Sequence, residues 1–205
     1  MNKLIIACLL LIGSAGFSFA GKEKTIENLK AAVKGETTAS EKYAGYAGQA
    51  KKEGFIQIEA MFSAASKSEA IHAANHKSVL VKMGQKIDSF KPEFDVKTTK
   101  ENITDAIKGE SYEISTMYPG FISTAKMESE NDAIKSFRWA METEKKHQQI
   151  YQSALNALNA GTAVKLPKVY WVCPKCGNTY DVSKPESSCS FCSTSSDRFL
   201  KFIDR

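Results

Sequence analysis

The chain has 205 residues, 42% of them hydrophobic, and a formal net charge of +5. Lysines and acids are interspersed rather than blocked, and no RNA- or DNA-binding motif accompanies the slight basic excess, so nucleic acid is excluded as a partner. The length suffices for one medium core with a small second unit attached.

In chain order, the first segment is "MNKLIIACLLLIGSAGFSFA", with Lys3, an apolar run from Leu4 to Ile12, and a Ser18-Phe19-Ala20 end. This layout predicts a secretory signal peptide over residues 1–20, cleaved after Ala20. The run is short for a bilayer and is interrupted by Gly13, Ser14 and Gly16, so no stable membrane anchor is expected. Cys8 leaves with the signal, and the loss of Lys3 takes the net charge from +5 to +4. The expected location is outside the inner membrane, in the periplasm.

Four helices follow. Ile26, Leu29, Val33 and Tyr43 recur at helical spacing from Thr25 to Lys52, and Gly54 stops that helix. The second runs from about Phe55 to Met83 on Ile58, Phe62, Ala65 and Val79, with Gly84 beyond it. "QKIDSFKPEFDVK" makes a loop, and Thr98 or Thr99 caps a third helix through Ile103, Ile107, Ile114, Met117 and Phe121. Pro119 predicts a kink or local unwinding after Tyr118. Asn131 or Asp132 is expected to cap the fourth, which carries Ile134, Phe137, Met141, Tyr151 and Leu155 and ends at Gly161. Short connections join the first pair and the second pair, and only the middle one is long. That pattern predicts a mainly α fold, a ferritin-like four-helix bundle with one long crossover over residues 21–161.

Acids lie on the apolar stripes of all four helices. Glu36 follows Val33 by three residues; Glu69 follows Phe62 by seven, with His72 three further on. Glu110 and Glu113 fall between Ile107 and Ile114, and Glu144 and His147 repeat the Glu-x-x-His spacing after Met141. Residues three or four apart share a helix face. Five carboxylates and two imidazoles therefore point into one core, where unpaired charges would cost several kcal/mol each. Rotating the helices would expose the isoleucines and phenylalanines instead, so cations must hold the acids. One Glu from each of two helices plus Glu-x-x-His from each of the other two is the ligand set of a di-iron or di-manganese carboxylate bundle.

The set is written twice. "AVKGETTASEKY" and "AIKGESYEISTMY" match, and Tyr43 to Tyr118, Glu69 to Glu144 and His72 to His147 are each 75 residues apart. Gly35 and Gly109 sit beside the acids and cost about 1 kcal/mol each in a helix, which suggests a close helix contact or room for metal. Tyr43 and Tyr118 are placed to hydrogen-bond near the metals, whereas His76 reads as a satisfied or solvent-edge histidine.

After the linker at 162–168, "CPKCG" and "CSFC" place Cys173, Cys176, Cys189 and Cys192 as two C-x2-C knuckles over 169–205. Four thiolates at that spacing suit one tetrahedral iron or zinc. Two disulfides are the competing reading, but each would staple only a local loop.

With "KGE", "EAIH", "GESYEISTMYPGF", "ETEKKH" and the knuckles, residues 22–205 resemble the rubrerythrin family, a ferritin-like di-iron domain followed by a rubredoxin-like Fe(Cys)4 domain. The resemblance implies two iron ions held by Glu36, Glu69, His72, Glu110, Glu113, Glu144 and His147, and one iron, or zinc, at the four cysteines. It implies that Glu113 and His72 are alternative ligands of one iron. The implied activity is reduction of hydrogen peroxide to water, with electrons from an electron-donor protein passing through the four-cysteine centre. Family members commonly form head-to-tail homodimers that bring one chain's four-cysteine centre near the other's di-iron site. Two departures stand out. Ser190 and Ser193 replace the proline and glycine usual in the second knuckle, and a leader is unusual in a mostly cytoplasmic family, since no NAD(P)H is available outside the membrane. A ferroxidase or iron-handling protein, and a non-enzymatic electron carrier or zinc-filled structural protein, are the other readings.

Overall fold

The computed structural model describes residues 21–204; the expected signal peptide lies outside the described residues. The helices are α1 (Glu23–Lys52), α2 (Ile56–Lys82), α3 (Thr99–Tyr112), α4 (Tyr118–Met127) and α5 (Asn131–Asn159), with one π-helical turn, Glu113–Met117, joining α3 to α4. That pair counts as one rod of the bundle, so the arrangement is a four-helix bundle with its long crossover between α2 and α3. Among the described residues no helix is long and apolar enough to cross a membrane.

The helix ends follow from local chemistry. Thr98 and Glu101 form a reciprocal capping box at the start of α3. The α1 terminus is capped by a residue distant in sequence, Glu128 at the end of α4, which accepts from the backbone N–H groups of Lys24 and Thr25 at 3.2 and 2.7 Å. Gly54, Gly84 and Gly161 end α1, α2 and α5 in the left-handed region, as the sequence led one to expect. Neither Asn131 nor Asp132 caps α5. Glu130 is the N-cap residue and no side chain caps it; Asp132 instead pairs with Lys82 of α2 at 2.8 Å.

The irregularity expected after Tyr118 lies before it. Pro119 lacks an N–H and its ring would meet the carbonyl four residues back. The chain absorbs this by widening the turn at 113–117, so Pro119 sits in the first turn of α4 where no donor is required.

Two apolar layers fill the bundle. One contains Tyr43, Ile58, Phe62, Ile103 and Tyr151; the other contains Leu29, Val33, Leu80, Tyr118 and Phe137. On α1, Glu36 falls between Val33 and Tyr43; on α5, Glu144 falls between Ala140 and Ile150, again one residue from each layer. The acids thus form a polar stratum clamped between two greasy ones. Phe62 is fully buried, and its removal would leave a cavity costing about 3–5 kcal/mol.

The C-terminal unit is a three-stranded antiparallel sheet of β1 (Val169–Val172), β2 (Thr179–Tyr180) and β3 (Leu200–Ile203), in the order β2-β1-β3. It does not hang free. Leu166, Tyr170 and Val172 are buried in the same apolar layer as Phe62 and Tyr151, so the sheet is packed onto the bundle.

Candidate metal centres

The seven predicted bundle positions converge, with one qualification. Glu36, Glu69, His72 and Glu144 offer ligand atoms within 4.8 Å of one another, and so do Glu69, Glu110, Glu144 and His147. Glu69 and Glu144 belong to both groups, which is the arrangement of two ions bridged by two carboxylates. All six residues are at most 1% exposed. Glu113 belongs to neither group. It is half-buried at the start of the π turn, yet near enough to help raise the pKa of Glu36.

Metal-free, this stratum is ill at ease. Glu36 Oε2, Glu69 Oε1, both oxygens of Glu144 and His147 Nδ1 are buried with no aligned hydrogen-bond partner. Such groups are rare in folded proteins and each costs a desolvation penalty of about 1–3 kcal/mol. Burial first, and then the neighbouring carboxylates, push Glu36, Glu110 and Glu113 well above the ordinary carboxylate range. Burial acts the same way on Glu69, but the charges of His147 and His72 outweigh it and hold this acid down at about 2. His147 is raised to about 9 because Glu69 and Glu144 outweigh its own burial. Divalent cations would take up the orphaned oxygens and imidazole lone pairs together. The donor set fits them.

A chain of hydrogen bonds fixes one acid. The Tyr118 hydroxyl donates to Glu36 Oε1. Having given its proton there, it accepts from His76 Nε2 at 3.2 Å, and His76 Nδ1 in turn accepts from Ser136 Oγ at 2.8 Å. His76 is therefore neutral, and burial with the nearby His72 lowers it to about 3. It is satisfied, as the sequence suggested, but fully buried and not at a solvent edge. Tyr43 plays the matching part on the other side, donating to Glu110 Oε1 at 2.8 Å. Ser136 was not anticipated, nor was Tyr151, whose ring stacks on His147 at 5.9 Å between centroids. Tyr151 lies one turn after His147, which is the signal that could have found it.

The helix-contact explanation for the two glycines fails. A Cβ at Gly35 would meet nothing within 4 Å, and one at Gly109 only the Tyr43 hydroxyl at 4.0 Å. No contact with a neighbouring helix requires them.

The four cysteines also converge, their sulfurs within 4.8 Å of one another. Cys173–Cys192 and Cys176–Cys189 are 3.5 Å apart, far longer than a disulfide bond of about 2.05 Å. Hydrogen bonds from the Cys173 and Cys176 thiols lower the Cys189 thiol strongly, while the contacts with Cys173 and Cys189 push the Cys176 thiol up, so the sulfurs share protons unevenly. The knuckles are built alike: Gly177 N–H donates to Cys173 O at 3.0 Å, and Ser193 N–H to Cys189 O at 2.9 Å. Gly177 has φ +82° and Ser193 has φ +57°. Serine thus occupies a left-handed position that glycine would fill without strain, at a cost of roughly 1–2 kcal/mol.

A buried carboxylate–histidine cluster in a ferritin-like bundle, with a tetrathiolate centre on the same chain, defines a di-iron oxidoreductase of the carboxylate class carrying a one-electron iron centre. The comparisons agree. Residues 27–155 match the model of the family described as Rubrerythrin. Rubrerythrin-2 of Clostridium acetobutylicum is 32% identical over 87% of this chain and 96% of its own length. The solved structure titled "Fully reduced state of nigerythrin (all ferrous)" has a TM-score of 0.78 at 29% identity, covering 93% of this chain and 91% of its own. An open-pore ferritin of Archaeoglobus fulgidus matches with a TM-score of 0.60 at 13% identity over 69% of this chain and 91% of its own, a likeness of fold alone. The chain belongs to the rubrerythrin family. Its cofactors are the two irons of the bundle and the iron of the four cysteines.

Proposed function

We propose that the protein is an exported peroxidase that reduces hydrogen peroxide to water at the bundle site, drawing electrons through the four-cysteine centre. The reaction consumes one peroxide, two electrons and two protons and yields two waters. Two ferrous ions at the cluster would supply the electrons for O–O cleavage and the Lewis acidity that stabilises the departing oxygens. The residues do the rest. Glu36 and Glu110 would each offer a carboxylate to one ion, oriented by Tyr118 and Tyr43 respectively. Glu69 and Glu144, shared between the two groups, would help hold both ions. The apolar layers above and below keep bulk water off the reacting atoms.

The observation that carries the reading is Glu113: a fifth acid, half-buried beside a six-residue set that is complete without it. We propose that it exchanges with His72 as ligand of one iron. The reading is tested by supplying the iron-loaded protein with an artificial one-electron reductant and following peroxide loss. Glu113→Ala is expected to lower turnover by about 10-fold or more while the thermal midpoint holds. Full turnover in that variant would refute the role, and faster consumption of O2 than of peroxide, with repeated oxidation of added Fe(II), would make the protein a ferroxidase. We propose further that the mature chain begins near Gly21 and works outside the inner membrane with a donor protein other than an NAD(P)H reductase; sequencing the N-terminus of the exported protein checks the first part.

A further inference from the structure

The repeat that matches Tyr43 with Tyr118 also matches Tyr46 with Phe121, again 75 residues apart. The two pairs pack alike, with ring centroids 6.0 Å apart for Tyr43–Tyr46 and 6.3 Å for Tyr118–Phe121. A bare ring therefore satisfies the packing, and the Tyr46 hydroxyl is an addition that only the first half carries. That hydroxyl has a base in place. Tyr46 donates to Asp105 Oδ2 at 2.8 Å, and Lys42 Nζ donates to the same oxygen at 2.8 Å, an ammonium contact that favours the ionised carboxylate.

Both ends of the tyrosine pair lead somewhere. Tyr43 is 2% exposed and donates to Glu110 of the bundle site. Tyr46 is 3% exposed, yet with Lys42 and Asp105 it lines an open cleft of about 570 Å³ between α1, the crossover loop and α3, large enough for a small organic molecule. On the other side of the site the rings beside Tyr118 are His76, Phe121 and Phe137, none of them a phenol. The line from site to surface is one-sided: Glu110, Tyr43, Tyr46, Asp105, cleft.

A phenol gives up an electron far more readily when its proton leaves with it. Burial first, and then the bond to Asp105, hold Tyr46 above the usual phenol range, so it rests as the neutral phenol. Lys42 Nζ lies over both rings, 5.6 Å from the Tyr43 centroid and 5.9 Å from that of Tyr46. Beneath that ammonium a neutral ring is favoured over a positively charged one, so electron and proton must depart together, and Asp105 is there to take the proton.

We propose that Tyr43 and Tyr46 form a second electron line into the bundle site, fed from the cleft by a small hydroxyl-bearing reductant, an ene-diol or a phenol. It rests on the reading of the bundle as a peroxide site, and it serves when the thiolate centre has no electron to give. With one ferrous ion left in the bundle, peroxide takes one electron from that ion and one from Tyr46 by way of Tyr43. Tyr46 becomes a phenoxyl radical, its proton passing to Asp105 and on to solvent, while Tyr43 ends unchanged. Two protons from solvent complete the two waters. The reductant then returns one hydrogen atom to Tyr46 and is itself oxidised by one electron.

Electron paramagnetic resonance reads the radical. The iron-loaded chain is poised without oxygen, with a ferric thiolate centre and one ferrous bundle ion, then mixed with one equivalent of peroxide and freeze-quenched. A phenoxyl signal that narrows in protein grown on ring-deuterated tyrosine is expected, and a nitroso spin trap should leave its adduct on Tyr46 rather than on the more exposed Tyr112. The fully reduced chain, which can draw both electrons from iron, should show little of the signal. Tyr46→Phe copies the repeat mate and should fold, but ascorbate should no longer quench whatever radical remains. Tyr43→Phe should keep the radical off an intact Tyr46 while the iron is still oxidised, and Asp105→Asn should lower the yield. A full signal in both Tyr43→Phe and Asp105→Asn, adducts on Tyr112 alone, or oxidised iron with no radical would overturn the line. Bundle iron that stays ferrous under peroxide would sink the peroxidase reading instead; the line is then judged by the same signal with O2 as oxidant, and its absence there would overturn the line as well.

Discussion

Replacing Glu36 with glutamine separates what a buried acid does for the fold from what it does for the metal. In the metal-free protein Glu36 is 1% exposed, and burial together with the neighbouring Glu113, Glu69 and Glu144 pushes it well above the ordinary carboxylate range, which favours the neutral acid. Glutamine has nearly the same shape and can still accept from the Tyr118 hydroxyl. The metal-free stability of Glu36→Gln should therefore lie within about 1 kcal/mol of wild type. With metal the two should part. An ion present at 100 times its Kd stabilises the native state by about 2.7 kcal/mol, which in a chain this size raises Tm by roughly 5–11 °C. Loss of a ligand should weaken binding at least as much as loss of an outer partner, up to about 100-fold. At that level the increment falls to about 0.4 kcal/mol, or roughly 1–2 °C. The assay is anaerobic thermal unfolding of both proteins with and without Fe(II). A variant that keeps the full metal-dependent rise, or loses more than about 3 kcal/mol without metal, would show that Glu36 is a structural acid and not a ligand.

Other expectations are smaller. Ser193→Gly should stabilise the second knuckle by up to about 1 kcal/mol, because the strain of serine at φ +57° is relieved and part of that gain is offset by glycine's greater freedom when unfolded; a lower midpoint in thermal unfolding would refute it. Tyr118→Phe should cost the cluster about 10-fold in metal affinity, measured by competition with a chromophoric chelator, since Glu36 then loses its oriented donor. At Asp105, partial burial works against the charge, but hydrogen bonds from Lys42 and Tyr46 win and hold the carboxyl below its usual range. A depressed native value stabilises above the unfolded pKa of about 3.9 and is lost as pH falls through the native one. Asp105→Asn should therefore cost about 0.5–1 kcal/mol at pH 7, small because the pair is half-exposed, with the difference from wild type vanishing in acid. A gap that persisted or grew below pH 3 in urea titrations would contradict that assignment.

The bundle was legible because its helices obey one period, and a carboxylate on an apolar stripe is conspicuous by its cost. Glu36, Glu69, His72, Glu110, Glu144 and His147 could be placed that way, since each is judged against residues three, four or seven positions off on its own helix. The two tyrosines were legible in place but not in partner. Whether Tyr118 reaches Glu36 depends on how α1 and α4 are shifted along their axes, and no periodicity records that. Ser136 and His76 belong to the same category, being joined across two helices. The wide turn at 113–117 escaped notice because proline announces that a helix must adjust but not on which side. Docking of the C-terminal sheet on the bundle was the least legible feature. It is set by a short linker and by the burial of Leu166, Tyr170 and Val172, three apolar residues that a small sheet could equally have kept for itself.

The most direct test of peroxide reduction fed by the thiolate centre is a single mixing experiment. The mature protein is loaded with iron, reduced without oxygen, and mixed separately with peroxide and with O2 while the colour of the oxidised Fe(Cys)4 centre is followed. The account predicts fast colour with peroxide and slow colour with O2. A centre that stays colourless with peroxide while the bundle irons are oxidised would contradict it.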